Sequence, residues 1–268
     1  DIGKLAIQIT ANDLASAGAE PIGVMLTILL PDGTREIALK RIMEQMECAC
    51  REAKMQILGG HTEVTAVVNQ PVVNVAGVAK AKKGSLISTA GARAGMDIVV
   101  SKWVGIEGTM IFAKEKEAEL KEHFPADFVD TAIGFDRYLS VVPEAAVATQ
   151  SSVAAMHDVT EGGLFGALWE MAEASGVGLE IDLKKIPIRQ ETVEICEYFD
   201  VNPYGLISSG MMLMASADGN ALVLALQEAG IPATVIGKAT EGNDRVIIRD
   251  EERRFLEPPK TDELYKVL

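Results

Sequence analysis

The sequence predicts a mixed α/β (α+β) protein built from two domains. Apolar runs with strand character alternate with helical patterns along its 268 residues, an order that predicts sheets packed against helices. That length exceeds the roughly 100–150 residues of a common domain. Hydrophobic residues make up 48% of the chain, which is ample for a packed core. A polar, glycine-bearing stretch at residues 80–85 places the boundary, giving domains 1–84 and 85–268.

The first domain is predicted to alternate helix and strand. A helical pattern over residues 2–17 ends at Gly18 and Pro21, since glycine and proline commonly terminate helices. After that helix, the apolar periodicity predicts a strand at 24–30, a turn at 31–33, a helix at 36–54, a short strand at 56–58 and a strand at 72–79.

The second domain is predicted to continue this alternation. A glycine loop at 105–108 leads into an apolar segment at 110–113 that fits either a strand or the start of a helix. The remaining pattern predicts strands at 97–104, 153–156, 178–182, 211–215, 233–237 and 245–249. It predicts helices at 114–123, 164–175 and 221–229, with two more within 127–149.

Composition excludes several classes of function. The formal net charge of −14 argues against binding nucleic acid through its phosphates. No apolar run reaches membrane-spanning length and no signal peptide is visible, so no membrane association is expected. Three cysteines predict no disulfide framework, which is typical of a reducing, cytoplasmic compartment. The chain begins at Asp1 without an initiator methionine, so we expect a fragment that lacks an upstream segment.

Residues 157–163, with the sequence His-Asp-Val-Thr-Glu-Gly-Gly, form the most informative segment of the chain. The segment lies where a predicted strand gives way to a helix, the place where α/β proteins position ligand-binding groups. N–H groups that begin a helix favour anions, but Asp158 in the same turn would repel a phosphate unless a cation lay between them. Proteins hold Mg²⁺ through one or two carboxylates plus substrate phosphates. The segment therefore predicts a site for a nucleotide with Mg²⁺.

The first helix carries a carboxylate in an unusual position. On the helical wheel Asp13 lies among apolar residues and opposite Lys4, and a carboxylate there is costly unless it meets a cation or donors. Asn12 beside it offers an amide oxygen as a second ligand for a hard cation. The alternative is that the helix is rotated and Asp13 faces solvent.

Three glycine-bearing segments have a weaker pattern. Two glycines at Gly59 and Gly60 allow the backbone to approach a ligand, with His61 available to a phosphate and Glu63 to a cation. The same residues also fit a plain turn with a solvated glutamate. For the segments 105–109 and 208–210 we favour a structural role over a ligand contact, because short glycine patterns are common.

Taken together, these segments resemble the PurM superfamily. The superfamily includes the aminoimidazole ribonucleotide (AIR) synthases, selenophosphate synthetases, thiamine-monophosphate kinases and the HypE-type hydrogenase-maturation proteins. Neither a Walker loop nor a dinucleotide-type glycine fingerprint is present in the sequence. The resemblance covers nearly the whole chain and rests on four segments in the order typical of the superfamily: Asn12-Asp13-Leu14-Ala15 with Gly18-Ala19 and Pro21; Gly59-Gly60-His61-Thr62-Glu63; His157-Asp158-Val159-Thr160 with Gly162-Gly163-Leu164; and Ser209-Gly210.

The resemblance implies a two-domain architecture with an ATP site. The amino-terminal sheet domain would pair with a second subunit to form a dimeric barrel, and the carboxy-terminal domain would be an α/β sandwich. ATP with Mg²⁺ would bind in a cleft between the domains, with Asp13 and Asp158 as metal ligands. No catalytic residue is identified. The implied cofactor-binding residues are Asn12, Asp13, Gly59, Gly60, His61, Thr62, Glu63, His157, Asp158, Gly162 and Gly163.

Within the superfamily, the chain is most similar to the hydrogenase-maturation branch, through residues 1–4 and the histidine of the Gly-Gly-His-Thr segment. This implies ATP-dependent dehydration of a carbamoyl group, carried by a protein or a small molecule, and a maturation partner protein. An ATP-dependent cyclo-ligase or kinase for a small molecule, and a nucleotide-binding dimer without turnover, remain open. The chain departs from the branch in two ways: it has no upstream glycine-rich, acidic segment and no terminal cysteine.

Overall fold

A computed structural model describes residues 2–258 and 260–268 of the chain. The residues form two compact units, Asp1–Leu86 and Ile87–Leu268. Both units contain helices and a sheet, which confirms the predicted mixed α/β class. Among the described residues, no helix combines the length and apolar character that crossing a bilayer requires.

The first unit packs two helices on one three-stranded sheet. The central strand β1 pairs in parallel with β2 and antiparallel with β3. Its elements, in chain order, are α1 (Ile2–Ser16), β1 (Glu20–Leu30), α2 (Glu36–Glu52), β2 (Gln56–Val64) and β3 (Val72–Lys80). The predicted helices and strands of this unit are present, with ends shifted by a few residues except at β2.

The helices of the first unit cover one face of the sheet. Alternate residues of β1 from Val24 to Leu30 are buried, as expected for a strand with one covered face. Helix α1 contributes small and apolar residues spaced four apart: Gly3, Ile7, Ala11 and Ala15. The prediction that Asp13 lies on the buried apolar stripe is therefore wrong, because the small residues of a different face allow close packing and leave Asp13 exposed.

Strand β2 contains the segment 59–63, which was predicted to be a loop. The register of β2 against β1 shifts between Val24 and Met25, so that Leu58 is an extra residue and forms a β-bulge. Gly59 and Gly60 follow the bulge with φ of 157° and 154°. Glycine in a strand interior often marks a bulge or a close backbone approach. That rule, and not the turn preference of a Gly-Gly pair, applies here.

The second unit is built on one seven-stranded sheet, with strand order β10-β9-β6-β8-β4-β7-β5. Its strands are β4 (Asp97–Ser101), β5 (Val153–Val159), β6 (Gly178–Asp182), β7 (Met211–Ser216), β8 (Ala233–Thr240), β9 (Arg245–Arg249) and β10 (Glu252–Phe255). Its helices are α3 (Ile106–Glu115), α4 (Glu117–His123), α5 (Ala126–Ile133), α6 (Val142–Ala148), α7 (Gly163–Ser175), α8 (Gln190–Tyr198) and α9 (Gly219–Glu228).

Two predictions for the second unit need correction. The strand expected at 97–104 ends at Ser101, and the expected loop at 105–108 is the start of α3, with Gly105 as the residue before its first turn at φ 71°. The strand expected at 153–156 continues to Val159, so His157 and Asp158 lie in β5. Alternation in a strand then points these two side chains to opposite faces of the sheet.

Replacing Gly60 with alanine tests the bulged segment of β2. A Cβ at Gly60 would lie 2.0 Å from the carbonyl oxygen of Leu26, whereas a Cβ at Gly59 meets nothing within 4 Å, although both residues have positive φ. We expect Gly60→Ala to destabilise the first unit by about 1–3 kcal/mol more than the matched Gly59→Ala, as forced overpacking does. Urea unfolding followed by circular dichroism measures both. Equal destabilisation would contradict the close approach.

Candidate functional site

Three segments of the second unit meet at one edge of its sheet. Strand β7 runs antiparallel to both β4 and β5. The carboxyl ends of β4 and β5 therefore lie beside the amino end of β7, and Asp158 pairs with Met212. Segments that are distant in sequence, near residues 101, 158 and 209, are brought together by this pairing.

A buried ion pair anchors this edge. Lys102 Nζ lies 2.5 Å from Glu144 Oε1 and donates to the Ser140 carbonyl oxygen at 2.6 Å. Ser101 Oγ donates to Glu144 Oε1 and accepts the Met212 N–H at 3.0 Å. Burial lowers the pKa of Lys102, and the charge of Glu144 opposes that change. The pair links α6 to the strand residue that lies directly opposite Asp158.

Asp158 has an unsatisfied oxygen. The residue is 7% exposed, and its Oδ2 has no hydrogen-bond partner within residues 2–258 and 260–268. A buried carboxylate is costly unless it is paired or coordinates a metal. The orphaned oxygen therefore fits a ligand atom for a hard cation such as Mg²⁺.

A second acid lies at the same edge. Glu107, in the first turn of α3, is 2% exposed, and the Ser209 N–H donates to its Oε2 at 3.3 Å. Burial raises the pKa of Glu107, hydrogen bonding from Ser209 offsets part of the rise, and the nearby Asp262 adds to it. The side chain of Ser209 is itself buried beside this carboxyl group. An orphaned carboxylate oxygen and a buried glutamate therefore occur at one end of the sheet.

Asp262 fixes the turn before α7. Its Oδ2 accepts the Gly162 N–H at 2.6 Å and its Oδ1 accepts the Ile207 N–H at 3.3 Å, with the residue 1% exposed. A carboxylate is a favourable partner for N–H groups at the start of a helix. The Gly162 N–H that the sequence assigns to a phosphate is therefore engaged by this side chain. Gly163, with φ of 61°, donates its N–H to the Thr160 carbonyl.

Both ring nitrogens of His157 contact protein groups. Nε2 lies 2.7 Å from Glu170 Oε2 on α7, and Nδ1 lies 3.3 Å from the Thr89 hydroxyl. Because a carboxylate only accepts, Nε2 carries the proton in the Glu170 contact. These contacts orient the ring on the face of the sheet opposite to Asp158. A ligand role for His157 stays a prediction.

In the first unit, the predicted site residues lie on two sides of the sheet. Asn12 is buried at 1% exposure on α1, which packs on the Val24 face of the sheet. His61 pairs with Thr27 on the other face, where its Nε2 lies 3.3 Å from Glu63 Oε2. The structure brings His61 and Glu63 together, and it separates them from Asn12 within this unit. Thr62, next to them, is exposed on the edge strand.

Three residues of this edge were not predicted as functional: Glu107, Ser209 and Asp262. Glu107 and Ser209 lie in the glycine-bearing segments to which we assigned a structural role. The acidic residue within the glycine-bearing segment 105–109 was the sequence feature that could have identified Glu107. Asp262 has no such signal, because its partner Gly162 lies 100 residues earlier.

No group of three His, Cys, Asp or Glu side chains that could hold a metal occurs in the described ranges 2–258 and 260–268. A Mg²⁺ ion that is held by one or two carboxylates and by phosphate oxygens needs no such cluster. Within the second unit, whether the residues suit Mg²⁺ therefore depends on the carboxylate oxygen of Asp158.

Comparison with known proteins identifies the family. The model described as the AIR synthase related protein, N-terminal domain, matches residues 1–81, and that of the C-terminal domain matches residues 93–250. The chain belongs to the AIR synthase-related family. The range matched by the C-terminal domain, 93–250, includes every residue of the edge described above except Asp262.

Relatives place the chain in the HypE-type branch of this family. A Methanocaldococcus jannaschii protein, provisionally named a hydrogenase expression/formation protein, is 30% identical over 100% of this chain and 79% of its own length. Carbamoyl dehydratase HypE of Cupriavidus necator is 32% identical over 90% of this chain and 68% of its own length.

Solved structures of the AIR synthase-related family confirm the PurM-like fold. The E. coli HypE structure has a TM-score of 0.86 at 24% identity and covers 100% of this chain and 83% of its own. A HypE structure in complex with ATP has a TM-score of 0.85 at 22% identity, covering 98% and 81%. A HypE–HypF complex has a TM-score of 0.81 at 22% identity, covering 97% and 85%.

The pH dependence of stability tests the environment of Glu107. Since burial raises the folded-state pKa of this acid above its ordinary value of 4.5, the folded state binds its proton more tightly than the unfolded state does. The associated stability is present below that value and is lost as the pH rises through the raised pKa. We expect Glu107→Gln to gain stability relative to the native chain as the pH rises from 4.5 to 8, because the native carboxyl group must stay protonated or bury its charge.

The exposed Glu115 of the same helix supplies the matched control for this measurement. Urea unfolding at several pH values is carried out on the native chain, Glu107→Gln and Glu115→Gln. A Glu107→Gln effect that does not change with pH would contradict the burial of an ionisable carboxyl group.

Proposed function

We propose that this chain is an enzyme that uses ATP with Mg²⁺ to activate an oxygen atom of its substrate. Two kinds of observation support the proposal. The relatives at 30–32% identity belong to the HypE-type branch, and a HypE protein of the same fold has been solved with ATP. The observation that carries the proposal in this chain is the orphaned, buried Oδ2 of Asp158 within the motif that the resemblance assigns to metal binding.

The reaction that we propose is dehydration of a carbamoyl group, the activity in the name of the Cupriavidus necator relative. The amide oxygen takes the γ-phosphoryl group of ATP, which releases ADP and converts a poor leaving oxygen into phosphate. The carbon–oxygen bond then breaks, the nitrogen loses its two protons, and a carbon–nitrogen triple bond remains. The elements of water leave in the phosphate and the two protons, so the balance needs no further reactant.

In this proposal Asp13 and Asp158 are the metal ligands. Mg²⁺ supplies neutralisation of the phosphate charge. That contribution matters in a chain of net charge −14, which would otherwise repel a triphosphate. The other residues that we assign to the nucleotide are Asn12, Gly59, Gly60, His61, Thr62, Glu63, His157, Gly162 and Gly163.

We further propose that Glu107 receives or holds a proton in the second unit. A buried glutamate with a raised pKa is suited to general acid–base chemistry. The carbamoyl group is delivered by a maturation partner protein, in line with the HypE–HypF complex known for a protein of the same fold.

Calorimetric titration with ATP tests the nucleotide site. We expect binding that strengthens when Mg²⁺ is added, and affinity losses of roughly tenfold or more for Asp158→Asn and for Asp13→Asn, since contacts to a charged group contribute about 1.5–3 kcal/mol. Asp32→Asn and Asp127→Asn remove exposed carboxylates from the same two units and are the matched controls. Equal affinity in all variants would refute the assignment of the metal ligands.

The same samples distinguish the three functional alternatives. Release of ADP and phosphate only with a carbamoylated substrate supports the dehydratase. Phosphate transfer to a small molecule indicates a kinase or cyclo-ligase. Binding without turnover across these substrates indicates a nucleotide-binding dimer.

We also propose that the first unit forms a homodimer through its sheet. The face opposite the helices is apolar and exposed: Met25 and Leu58 are each 53% exposed, and Val72 and Val78 lie on the same face by register. Leu58 packs over Gly23, where a Cβ would meet its Cγ at 2.7 Å. Contiguous exposed apolar surface on a protein commonly marks an interaction site.

The oligomeric state measured by sedimentation equilibrium tests the dimer. We expect Met25→Glu to weaken dimerisation by at least about tenfold, because a charge would be buried without a partner at the centre of the interface. Val67→Glu changes an exposed valine in the β2–β3 turn and is the control. A monomeric native chain at roughly micromolar concentration would be evidence against this interface.

A further inference from the structure

The second unit contains a cavity that the nucleotide site does not explain. Its volume is about 540 Å³, within the roughly 300–1,000 Å³ typical of small-molecule sites. Gly162 lines it, but Asp158, Ser209 and Glu107 do not. The cavity lies among the start of α7, the segment 202–205, and strands β9 and β10 with the segment that follows β10.

One wall of this cavity is aromatic. The rings of Phe165 and Tyr204 are stacked, with centroids 5.2 Å apart and an interplanar angle of 17°. Together with Leu183 they pack against the hydrophobic core of the unit but remain only partly buried. The cavity is the reason, since it leaves their outer faces without protein cover. A flat apolar group placed there would bury this surface.

Ile247, Phe255 and Leu256 also line the cavity, and Phe255 is 72% exposed. An aromatic side chain this exposed is available to cover a bound molecule. The apolar lining therefore extends beyond the two stacked rings.

Among the described residues, the charged groups that line the cavity are Arg249, Arg254, Lys260, Glu252, Glu257 and Glu263. Glu263 pairs at 2.7 Å with Lys266, which lies outside the lining. Arg254 pairs with Glu252 at 2.8 Å, and Lys260 pairs with Glu257 at 2.8 Å, where its hydrogen bond and charge lower the pKa of Glu257. Arg249 also lines the cavity, and within residues 2–258 and 260–268 it forms no ion pair.

The phenol of Tyr204 lies within electrostatic reach of Arg249. Burial raises the pKa of Tyr204, and the charge of Arg249 partly opposes that rise. Tyr204 therefore stays a neutral hydrogen-bond donor. Arg249 and Tyr204 both line the cavity, and a guanidinium and a phenol are donors that suit a carboxylate, sulfonate or phosphate.

We propose that this cavity binds a small organic acid with a flat apolar body. The body lies against the Phe165 and Tyr204 wall, and the acid group contacts Arg249. Of the residues that we assign to the nucleotide, Gly162 alone lines this cavity, and its N–H is held by Asp262. The ligand of the cavity is therefore a further effector or substrate of the protein. The inference does not depend on the ATP-dependent reaction.

Fluorescence titration with 8-anilinonaphthalene-1-sulfonate tests this site, because the probe combines a flat apolar body with a sulfonate. N-phenyl-1-naphthylamine, which has a similar body and no charge, is the parallel probe. We expect Arg249→Gln to weaken the sulfonate probe by roughly tenfold or more, the loss of one charge-assisted contact, while the neutral probe changes less than about twofold. Arg253→Gln on β10 is the matched control, since Arg253 pairs with Glu180 and does not line the cavity.

A second variant tests the aromatic wall. Phe165→Leu keeps an apolar residue and is expected to weaken both probes by at least about threefold, with an unchanged circular dichroism spectrum as the check on folding. Val67→Glu removes exposed apolar surface from the first unit outside the proposed dimer interface and is expected to leave the Arg249-dependent signal unchanged. Equal probe affinities in the native chain, Arg249→Gln and Phe165→Leu would overturn the proposal. ATP titrations of the same variants should match the native chain, which separates failure here from failure of the nucleotide site.

Discussion

The antiparallel pairing of β4, β7 and β5 is the constraint on which the rest of the site depends. It sets Asp158 opposite Met212, three residues after Ser209. The N–H of Ser209 in turn contacts Glu107. Strands β4 and β7 are buried on both faces, and a slip of one residue would exchange the side chains that pack on the two faces. The buried Lys102–Glu144 pair reinforces the pairing through Ser101 and the Met212 N–H. Core packing therefore holds the polar edge in place.

This edge concentrates negative charge in a chain that is already acidic. Asp158, Glu107 and Asp262 are all buried in the second unit. The surroundings of the three carboxyl groups differ. Asp262 accepts three backbone N–H groups, from Gly162, Ile207 and Leu264. Glu107 has a raised pKa. Asp158 keeps an orphaned oxygen. A bound cation would satisfy the last of these, and that is the role that we propose for Asp158.

The two glycine motifs have different structural roles. Gly60 lies where a side chain would collide with the Leu26 carbonyl, so its absence of a Cβ serves strand pairing at the β2 bulge. A Cβ at Gly163 would collide with the carbonyl oxygens of Tyr204 and Leu206. Glycine at this position therefore allows α7 to start close to the segment before β7. At both positions, glycine is therefore required by the close approach of neighbouring backbone.

By itself, the sequence determined the mixed α/β class, most elements, the four motifs and the family resemblance, because periodicity and short motifs are local properties of the chain. The predictions from sequence were wrong for features that depend on packing. The apolar wheel around Asp13 did not show that Gly3, Ala11 and Ala15 form the buried face of α1, since small residues carry a weak hydrophobic signal but pack most closely. Nor did the Gly-Gly pair indicate a bulge. The tertiary structure alone decided that Glu107, Ser209 and Asp262 join the edge that carries Asp158. Such contacts join residues about 100 positions apart, and they follow from the tertiary packing of segments that no local pattern relates to each other.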